Sequence, residues 1–395
     1  MDLAVVSGHV LLPDDLTASL PPIDQAWGKF GVGDATGPVP EWDNPERFFA
    51  NVGADRRNEV ARVLDGVDHP LANNEFHFAH LLLPHRPWSY LPDGREYLAT
   101  DLTGRGPGGW GADAWLVEQS YQRLQIQVQY VDRLLGDLID RLESLDSYDD
   151  ALIVIVADHG ISVRPEQPRR FITPETIGDI AAVPLFIKRP HQDSGGVDDY
   201  RAETTDVVPT IADVLGIDLP WRADGVSLFS EDRPPRTQST MMSGHPVTFG
   251  VDGNEKQTIA DYHLEYFGDR GPFGLAPIGQ ADLLGTDLAS LDFDDDPESQ
   301  LLLDPPEGYL ATDPGADPLP AQISGRVSGG GDGYLTLAIV LNGRIEAVTR
   351  SGAFGDSERF VAMLPPDALR AENQVEVLVV EGSGATRTLT RPTGS

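Results

Sequence analysis

The chain has 395 residues and no cysteine, and its 63 acidic against 29 basic residues give a formal net charge of −34. The absence of cysteine excludes disulfides, zinc sites built on thiolates and a cysteine nucleophile. So negative a surface repels the phosphates of nucleic acids, and we expect no nucleic-acid partner. No stretch has the ~20 apolar residues of a membrane helix, so we expect no membrane span in this chain. Its localisation stays undetermined.

The first apolar elements lie before residue 90. RRNEVARVLDGV, which starts at Arg56, predicts a short helix with its apolar residues on one side. FHFAHLLLPH, residues 76–85, predicts a buried strand that stops at its proline. His85 follows directly, and an imidazole at a strand end can bind a metal or a substrate oxygen. The alternative is a histidine that packs beside Trp88.

The strongest helix signal lies between residues 115 and 145, where apolar residues recur at spacings of three and four and form one stripe. Shortly after it, LIVIVADHG, residues 152–160, predicts a strand whose β-branched run suits burial on both faces. VPLFIKRP, residues 183–190, predicts a second such strand, and TTDVVPTIADVLGI, residues 204–217, a helix that ends at a glycine. This order favours an α/β layer architecture with a mainly parallel sheet.

The C-terminal part of the chain has a different composition. Residues 280–320 hold eleven acidic residues, six prolines and no Lys or Arg, which indicates a linker or strap. Beyond it, strand-like runs flank Asn342-Gly343, a dipeptide typical of β-hairpins, and ERFVAML and VEVLVVEG add further strands. We therefore expect an α/β part over residues 1–235, a linker or strap over 236–320, and a small all-β, sandwich-like domain over 321–395.

Asp158 and His159 stand at the carboxyl end of a predicted strand, where open α/β sheets bind their ligands. Adjacent residues of a regular strand point to opposite faces, so these two can reach one ion only where the strand has ended. Gly160 supplies backbone freedom at that point. Three arginines whose guanidinium groups can clamp a tetrahedral anion follow within a few residues, namely Arg164, Arg169 and Arg170. The alternatives are an exposed polar turn for the pair and a solvated loop for the arginines.

Three of these segments, taken together and in this order, resemble the sulfatase-like hydrolases and transferases of the alkaline phosphatase superfamily. The long helix that leads into a strand ending in ADHG resembles one family segment, HLLLPHRPW resembles its His-x-Pro segment, and TTDVVPTIADVLGI its D-x-x-P-T helix. The resemblance covers roughly residues 70–230. Asp-His at this position, where other members have Asp-Asn, favours the phosphoester and phosphoglycerol-transferring branches.

The resemblance implies a fold, a cofactor and a substrate contact. The fold is an alkaline-phosphatase-like α/β/α sandwich. The cofactor is a divalent metal ion (Mn, Zn, Mg or Ca) held in part by Asp158 and His159. His85 contacts the sulfate or phosphate group of an ester substrate, and we add Arg164 and Arg169 as candidate substrate-binding residues.

The match is partial. In the family an earlier strand supplies the first acidic ligands, and a Cys (as formylglycine), Ser or Thr nucleophile follows it. Here no Ser-x-Pro or Thr-x-Pro continues into the family's C/S-x-P-x-R pattern, and no buried strand ending in Asp-Asp or Asp-Thr precedes His85. AVVSGHVLLPDD, which begins at residue 4, is the nearest. We therefore expect a sandwich without its N-terminal strands, no nucleophile in the chain, and no esterase activity from the chain alone.

Three hypotheses about function follow. The chain is the C-terminal part of a metal-dependent hydrolase or phosphoglycerol-transferase-type enzyme, which is completed by an N-terminal half. Alternatively, it is a non-catalytic protein whose β domain binds a glycan or a partner. An exposed row of aromatic residues would favour a glycan, but Tyr334, Phe354 and Phe360 make only a thin set. Thirdly, the missing half is a separate polypeptide that associates with this one. The DNA upstream discriminates the three hypotheses. An in-frame N-terminal half would support the first, an intergenic region without coding sequence the second, and a separate reading frame the third.

Overall fold

The computed structural model describes residues 56–70, 75–98, 104–106, 109–242, 246–250, 255–304, 307–328, 333–354 and 357–394. These residues fall into two compact units, a smaller one over 202–234 and a larger one that combines 56–201 with 235–394. Within these ranges no helix has the length and apolar character needed to cross a membrane. The AVVSGHVLLPDD segment lies outside the described residues.

The two predicted helices of the larger unit are confirmed. Helix α1 spans Arg56–Asp65, and helix α2 spans Ala114–Ser144. Asp113 caps α2, because its carboxylate accepts the backbone N–H groups of Trp115 and Leu116 at 3.0 and 3.4 Å. It thereby satisfies two of the amides that a helix start leaves without an internal partner. Further helices are α3 (Ile177–Ala181), α4 (Val207–Leu215), α5 (Glu255–Phe267) and α6 (Glu307–Leu310).

Two short pairs of strands lie around α2. β1 (Arg105–Gly106) pairs with β2 (Gly109–Trp110), and β3 (Ile153–Val156) pairs with β4 (Leu185–Lys188). The two apolar strands of the sequence therefore exist, but they run antiparallel, so the prediction of a mainly parallel sheet is wrong for them. The reason lies in α3, which bonds to the turn just after β3, where the N–H of Gly160 donates to the carbonyl of Ile180 at 2.7 Å. The chain enters β4 from that end and must run back along β3.

Strands β3 and β4 are also less buried than their composition suggests. Val156 is 40% exposed and Phe186 is 62% exposed. Their apolar run indicated coverage of both faces, as in the interior of a parallel sheet. In the described residues the two strands form a sheet with each other alone.

The buried strand expected over residues 76–85 is absent. Residues 75–82 form no strand, and Phe76 and Phe78 are 75% and 71% exposed. An apolar run becomes a strand only where a neighbouring chain pairs with its backbone groups. The backbone just after this run pairs instead with side chains of α1 and α2, so this prediction is wrong.

The remaining strands occupy the C-terminal half of the larger unit. They are β5 (Ser239–Met242), β6 (Pro246–Phe249), β7 (Asp294–Leu303), β8 (Gln322–Ser328), β9 (Thr336–Leu341), β10 (Arg344–Arg350), β11 (Gly352–Phe354), β12 (Ser357–Met363), β13 (Val375–Glu381) and β14 (Thr388–Thr393). β5 and β6 form a hairpin, and the others form one mixed sheet in the order β10-β9-β13-β14-β7-β8-β12-β11. The hairpin predicted at Asn342-Gly343 is confirmed: φ is 56° and 85° at these residues, as a tight β9–β10 turn requires.

This sheet is curled and buried on both faces. The hydroxyl of Thr349 in β10 donates to the carbonyl oxygen of Val361 in β12 at 2.7 Å, although the two strands are not neighbours in the sheet. Along β9, alternate residues enter two different apolar clusters. One of these clusters includes Leu91 and Ile126 of the α/β part. The strands therefore share a core with α2, and a separate all-β domain is not confirmed.

The segment expected to be a linker or strap, residues 236–320, contains regular structure. Leu283 belongs to the apolar cluster that contains Ala338 and Val340 of β9, and Leu288 and Phe293 pack against this cluster. Strand β7 lies between β14 and β8. The acidic side chains of Asp294 and Asp295 are exposed on this strand, while Leu301 is buried. A few apolar residues among many acidic ones are thus enough for this segment to pack into the core. The acidic composition of the segment did not indicate this packing.

The smaller unit contains the predicted helix over residues 204–217, which is confirmed as α4. Asp206 is fully buried, and its carboxylate accepts the backbone N–H groups of two residues, each at 2.8 Å. The hydroxyl of Thr210 donates to the carbonyl of Asp206 at 2.6 Å and accepts from the N–H of Leu228 at 2.9 Å. Gly216 ends the helix with φ at 66°. The D-x-x-P-T motif therefore has structural roles here.

The contact between α2 and the curled sheet gives a first test. The side-chain amide of Gln119, which is 4% exposed, donates to Val361 at 2.6 Å and to Thr349 at 3.0 Å. Gln119→Leu removes this donor, and we expect the free energy of unfolding to fall by about 1–3 kcal/mol in urea titrations. The exposed Gln129→Leu on the same helix is the control and should change it by less than about 0.5 kcal/mol. Equal stabilities of the two variants would contradict the shared core.

Candidate active site

Asp158 and His159 lie just past the end of β3. The backbone N–H of His159 donates to Asp158 Oδ1 at 2.8 Å, and Asp158 Oδ2 lies 3.7 Å from His159 Nε2. Two ligands of one divalent ion lie ~3.0–3.5 Å apart when each is near 2.1 Å from the metal. A small rotation of either side chain would bring this pair into that range. The side chains are 75% and 32% exposed, so both are accessible to an ion.

The histidine of this pair is held in one tautomer. His159 Nδ1 lies 2.8 Å from the carbonyl oxygen of Gly160. Because a carbonyl oxygen only accepts hydrogen bonds, Nδ1 carries a proton, and in the neutral ring the lone pair is on Nε2. A backbone carbonyl in this role is the usual orienting partner of a metal-binding histidine.

Gly160 is required here for a reason that differs from the expected one. Its N–H donates to the carbonyl of Ile180 at 2.7 Å, and a Cβ at this position would lie 2.0 Å from the carbonyl oxygen of Asp179. Its φ is not in the positive region, so backbone freedom is not what the position demands. The close approach of α3 to the Asp-His turn is what excludes a side chain.

Arg164 connects the loop after the turn to α3. Its guanidinium donates to both carboxylate oxygens of Asp179, at 2.9 and 3.2 Å, and the Asp179 side chain is only 5% exposed. Paired guanidinium–carboxylate bonds of this kind are strong and directional. The structure therefore gives Arg164 a role in fixing the loop.

Arg169 and Arg170 form a positive cluster with Arg105. Burial lowers the pKa of Arg169, and the charges of Arg105 and Arg170 lower it further. Burial also lowers the pKa of Arg170, whereas the charge of Asp158 raises it. Neither Arg169 nor Arg170 makes a side-chain hydrogen bond to another residue that the structure describes. Like charges gathered in this way favour an anion beside them.

His85 is close enough to Arg170 to feel its charge. Burial lowers the pKa of His85 to about 4, and the nearby charges of Arg170, Arg56 and Arg86 act in the same direction. Its Nδ1 lies 2.7 Å from the carbonyl oxygen of Arg86, so the proton of the neutral ring is on Nδ1. At neutral pH, His85 is therefore an uncharged side chain whose Nε2 is an acceptor.

Two tryptophans connect the His85 segment to the arginine loop. The rings of Trp88 and Trp110 stack with centroids 6.4 Å apart and planes inclined by 14°. The indole N–H of Trp110 donates to Ser162 at 2.6 Å, and its backbone N–H donates to Gln167 at 3.0 Å. The stack thus links the loop after Asp158 to the segment that carries His85.

The structure brings together only some of the candidate residues. Arg170 interacts electrostatically with both Asp158 and His85, and Arg169 lies beside it. Sequence reasoning did not select Trp110 or Arg105, which no local pattern marks. Among the described residues, no group of three or more His, Asp, Glu or Cys side chains is placed to hold a metal ion. Asp158 and His159 are therefore two candidate ligands without a third in the described residues.

The three aromatic residues considered for glycan binding form no exposed row. Phe360 is fully buried, and Phe354 is partly buried against the cluster around Leu116. Tyr334 is 48% exposed, and the guanidinium of Arg350 lies over its ring at 4.6 Å. The described part of the sheet therefore offers one exposed aromatic ring of the three.

Comparisons with known proteins agree with the resemblance seen in the sequence. Residues 34–217 match the sulfatase family model, and this range includes the His85 segment, the Asp-His-Gly turn and α4. A lipoteichoic acid synthase of Staphylococcus saprophyticus is 32% identical over 111 residues, which are 26% of this chain and 17% of that protein. A choline-sulfatase of Rhizobium meliloti is 36% identical over 116 residues, 28% of this chain and 22% of that protein. The chain therefore matches less than a quarter of either relative.

A solved structure from Bacteroides thetaiotaomicron, described as a sulfatase, was also found. It is 13% identical, with a TM-score of 0.36 over 52% of this chain and 61% of the other. This score is too low to establish a common fold.

Gly160→Ala tests the close approach at the turn. The added Cβ would meet the backbone of Asp179, so we expect the free energy of unfolding to fall by about 1–3 kcal/mol in urea. Gly136→Ala is the control, because it adds the same methyl group to an exposed position of α2 with no atom within 4 Å. It should stabilise the helix by about 0.5–1 kcal/mol. Wild-type stability of the Gly160 variant would contradict the role of this contact.

Proposed function

We propose that this chain, a sulfatase-like member of the alkaline phosphatase superfamily, supplies part of an active site for a sulfate or phosphate ester. The observation that carries the proposal is the position of Arg170. It interacts with Asp158, one of the two candidate metal ligands, and with His85. One positive group thus connects the residues that the family resemblance selects on separate segments.

In this proposal Asp158 and His159 hold a divalent metal ion together with ligands from outside the described residues. The donor set fits, because a carboxylate oxygen and an imidazole nitrogen with its lone pair on Nε2 lie 3.7 Å apart. When bound, such an ion would supply Lewis-acid chemistry, that is, polarisation of the ester oxygens, while Asp158 and His159 would hold it in place. These two ligands do not identify the metal: Mn, Zn, Mg and Ca all accept carboxylate oxygens, and the imidazole favours Zn over the harder Mg and Ca.

Arg169 and Arg170 neutralise the non-bridging oxygens of the sulfate or phosphate group. Guanidinium groups match tetrahedral oxyanions through paired N–H donors, and two neighbouring like charges gain from an anion between them. Arg169 is partly buried and Arg170 is exposed, so an anion can reach both. Arg164 is bonded to Asp179, so we place it in support of the loop and not in contact with substrate. Arg170 therefore replaces Arg164 among the proposed substrate-binding residues.

His85 acts as an uncharged acceptor. With its proton on Nδ1 and its pKa lowered to about 4, its Nε2 accepts a hydrogen bond at neutral pH. A partner that carries a proton suits it, such as a hydroxyl on the alcohol side of the ester. An unprotonated sulfate oxygen would be repelled by the same lone pair.

The proposal assigns no nucleophile among the described residues. A hydroxyl from Ser or Thr, or a formylglycine, completes the reaction in enzymes of this kind. The two relatives are a lipoteichoic acid synthase and a choline-sulfatase. Transfer and hydrolysis, and phosphate and sulfate, therefore remain alternatives within one class of ester chemistry.

Titration with Mn²⁺, followed by the electron paramagnetic resonance of the free ion, tests the metal subsite. Asp158→Asn and His159→Gln each remove one ligand, and we expect at least about a tenfold loss of affinity from each. The control is Asp150→Asn, which alters another exposed Asp–His pair, Asp150 and His191, whose side chains lie 3.5 Å apart. It should titrate as the wild type does. If Asp150→Asn loses as much affinity as Asp158→Asn, the proposed subsite is wrong.

Equilibrium binding of inorganic phosphate and sulfate tests the anion subsite. Arg169→Gln and Arg170→Gln each remove a charged donor, and we expect the affinity for both anions to fall by about tenfold or more, since a hydrogen bond to a charged group contributes about 1.5–3 kcal/mol. Arg133→Gln changes an exposed arginine on α2 and serves as the charge-matched control. Equal losses of anion affinity in all three variants would indicate a general effect of net charge and would contradict the proposed anion subsite.

A further inference from the structure

Arg56 is a fully buried cation whose bonds go to backbone carbonyls. It is the first residue of α1 and is 1% exposed. Its guanidinium donates to the carbonyl oxygens of three consecutive residues, His85, Arg86 and Pro87 (the last at 3.3 Å). Burial lowers its pKa. Burying a charge is costly unless hydrogen bonds compensate it, so the geometry of this cluster is tightly constrained.

The carbonyl of Arg86 is shared between two donors. It accepts one hydrogen bond from Nη2 of Arg56 and one from Nδ1 of His85, the latter at 2.7 Å. A carbonyl oxygen has two lone pairs, so both bonds can form together. The guanidinium therefore fixes the direction of the oxygen that determines where the proton of the His85 ring lies.

A second side chain bonds to the segment around His85, but not to the carbonyl of Arg86. Gln127 of α2 is fully buried, and its amide donates to the carbonyl of His85 at 3.0 Å. Its oxygen accepts the backbone N–H groups of Ser89 and Tyr90, at 3.0 and 3.4 Å. Arg56 and Gln127 thus pair the backbone groups that a neighbouring strand would otherwise pair.

We infer that Arg56 is a positioning residue, which holds the carbonyl of Arg86 so that His85 keeps its proton on Nδ1 and its lone pair on Nε2. A neutral imidazole side chain without such a partner favours the opposite tautomer, with the proton on Nε2. That tautomer would turn the acceptor of the site into a donor. The role of His85 toward substrate rests on the proposed function, whereas its tautomer does not.

Nitrogen-15 NMR of the full-length chain, labelled in its histidine rings, measures this tautomer. The nine histidines are distinguished by comparison with His85→Gln, whose spectrum lacks one set of signals. At pH about 7.5, the wild type should show His85 with a protonated Nδ1 and an unprotonated Nε2. Arg56→Lys keeps the charge but loses the planar fork, and we expect about half or more of the His85 population to move to the Nε2–H form.

Arg57→Lys is the matched control. Arg57 is the next residue of the same helix. Its guanidinium interacts with Asp317 and Glu96 and lies over the ring of Tyr90 at 5.8 Å, but it does not bond to the carbonyl of Arg86. It should leave the tautomer of His85 unchanged. A purely structural Arg56 would lower the urea midpoint of Arg56→Lys and leave the His85 signals in the wild-type pattern, and that result would overturn the inference.

The wild-type spectrum decides the question if Arg56→Lys fails to fold. A His85 ring with its proton on Nε2 would overturn the inference by itself, and a proton on Nδ1 would support it. Arg56→Gln, which keeps one amide donor, is then measured in place of the lysine variant and judged by the same change in tautomer. Failure of the proposed function would appear separately, as Mn²⁺ affinities that do not respond to Asp158→Asn.

Discussion

The need to pair buried polar groups on α2 is the constraint on which the larger unit depends. Its first half places Glu118, Gln119, Gln122 and Gln127 in the interior, each below 6% exposure. Glu118 contacts His263 of α5 at 2.9 Å, and Gln122 donates to a carbonyl of the segment after α5 at 2.8 Å. The other two reach the curled sheet and the His85 segment. Because an unpaired buried amide or carboxylate is costly, the position of α2 fixes all four neighbours at once.

The sequence predicted the elements whose signals are local. The apolar stripe over residues 115–145 predicted α2, and Asn342-Gly343 predicted a hairpin whose two central residues must have positive φ. The prediction of a strand over residues 76–85 was wrong, because a strand forms only with a pairing partner, and the sequence of the segment does not specify that partner. The prediction that β4 runs parallel to β3 was wrong for a related reason, since the direction of β4 depends on where α3 packs.

The candidate site shows the same division between local and non-local information. Asp158 and His159 were recognisable from their position after an apolar strand. The arginines that follow them are equivalent in sequence, and only the buried carboxylate of Asp179, fifteen residues beyond Arg164, decides which one is used for structure. Arg56 had no signal, because a charged residue at the start of an amphipathic helix normally faces solvent.

The small positive patch of Arg169 and Arg170 lies on a chain of net charge −34, and this contrast has a kinetic consequence. An anionic ester is repelled by the molecule as a whole and attracted only within a few ångströms of the guanidinium groups. Added salt shortens the range of the repulsion, to a Debye length of about 10 Å at 0.1 M, before it weakens contacts at hydrogen-bond distance. Moderate ionic strength therefore accelerates the encounter with such an anion, whereas it slows encounters that are steered by opposite net charges.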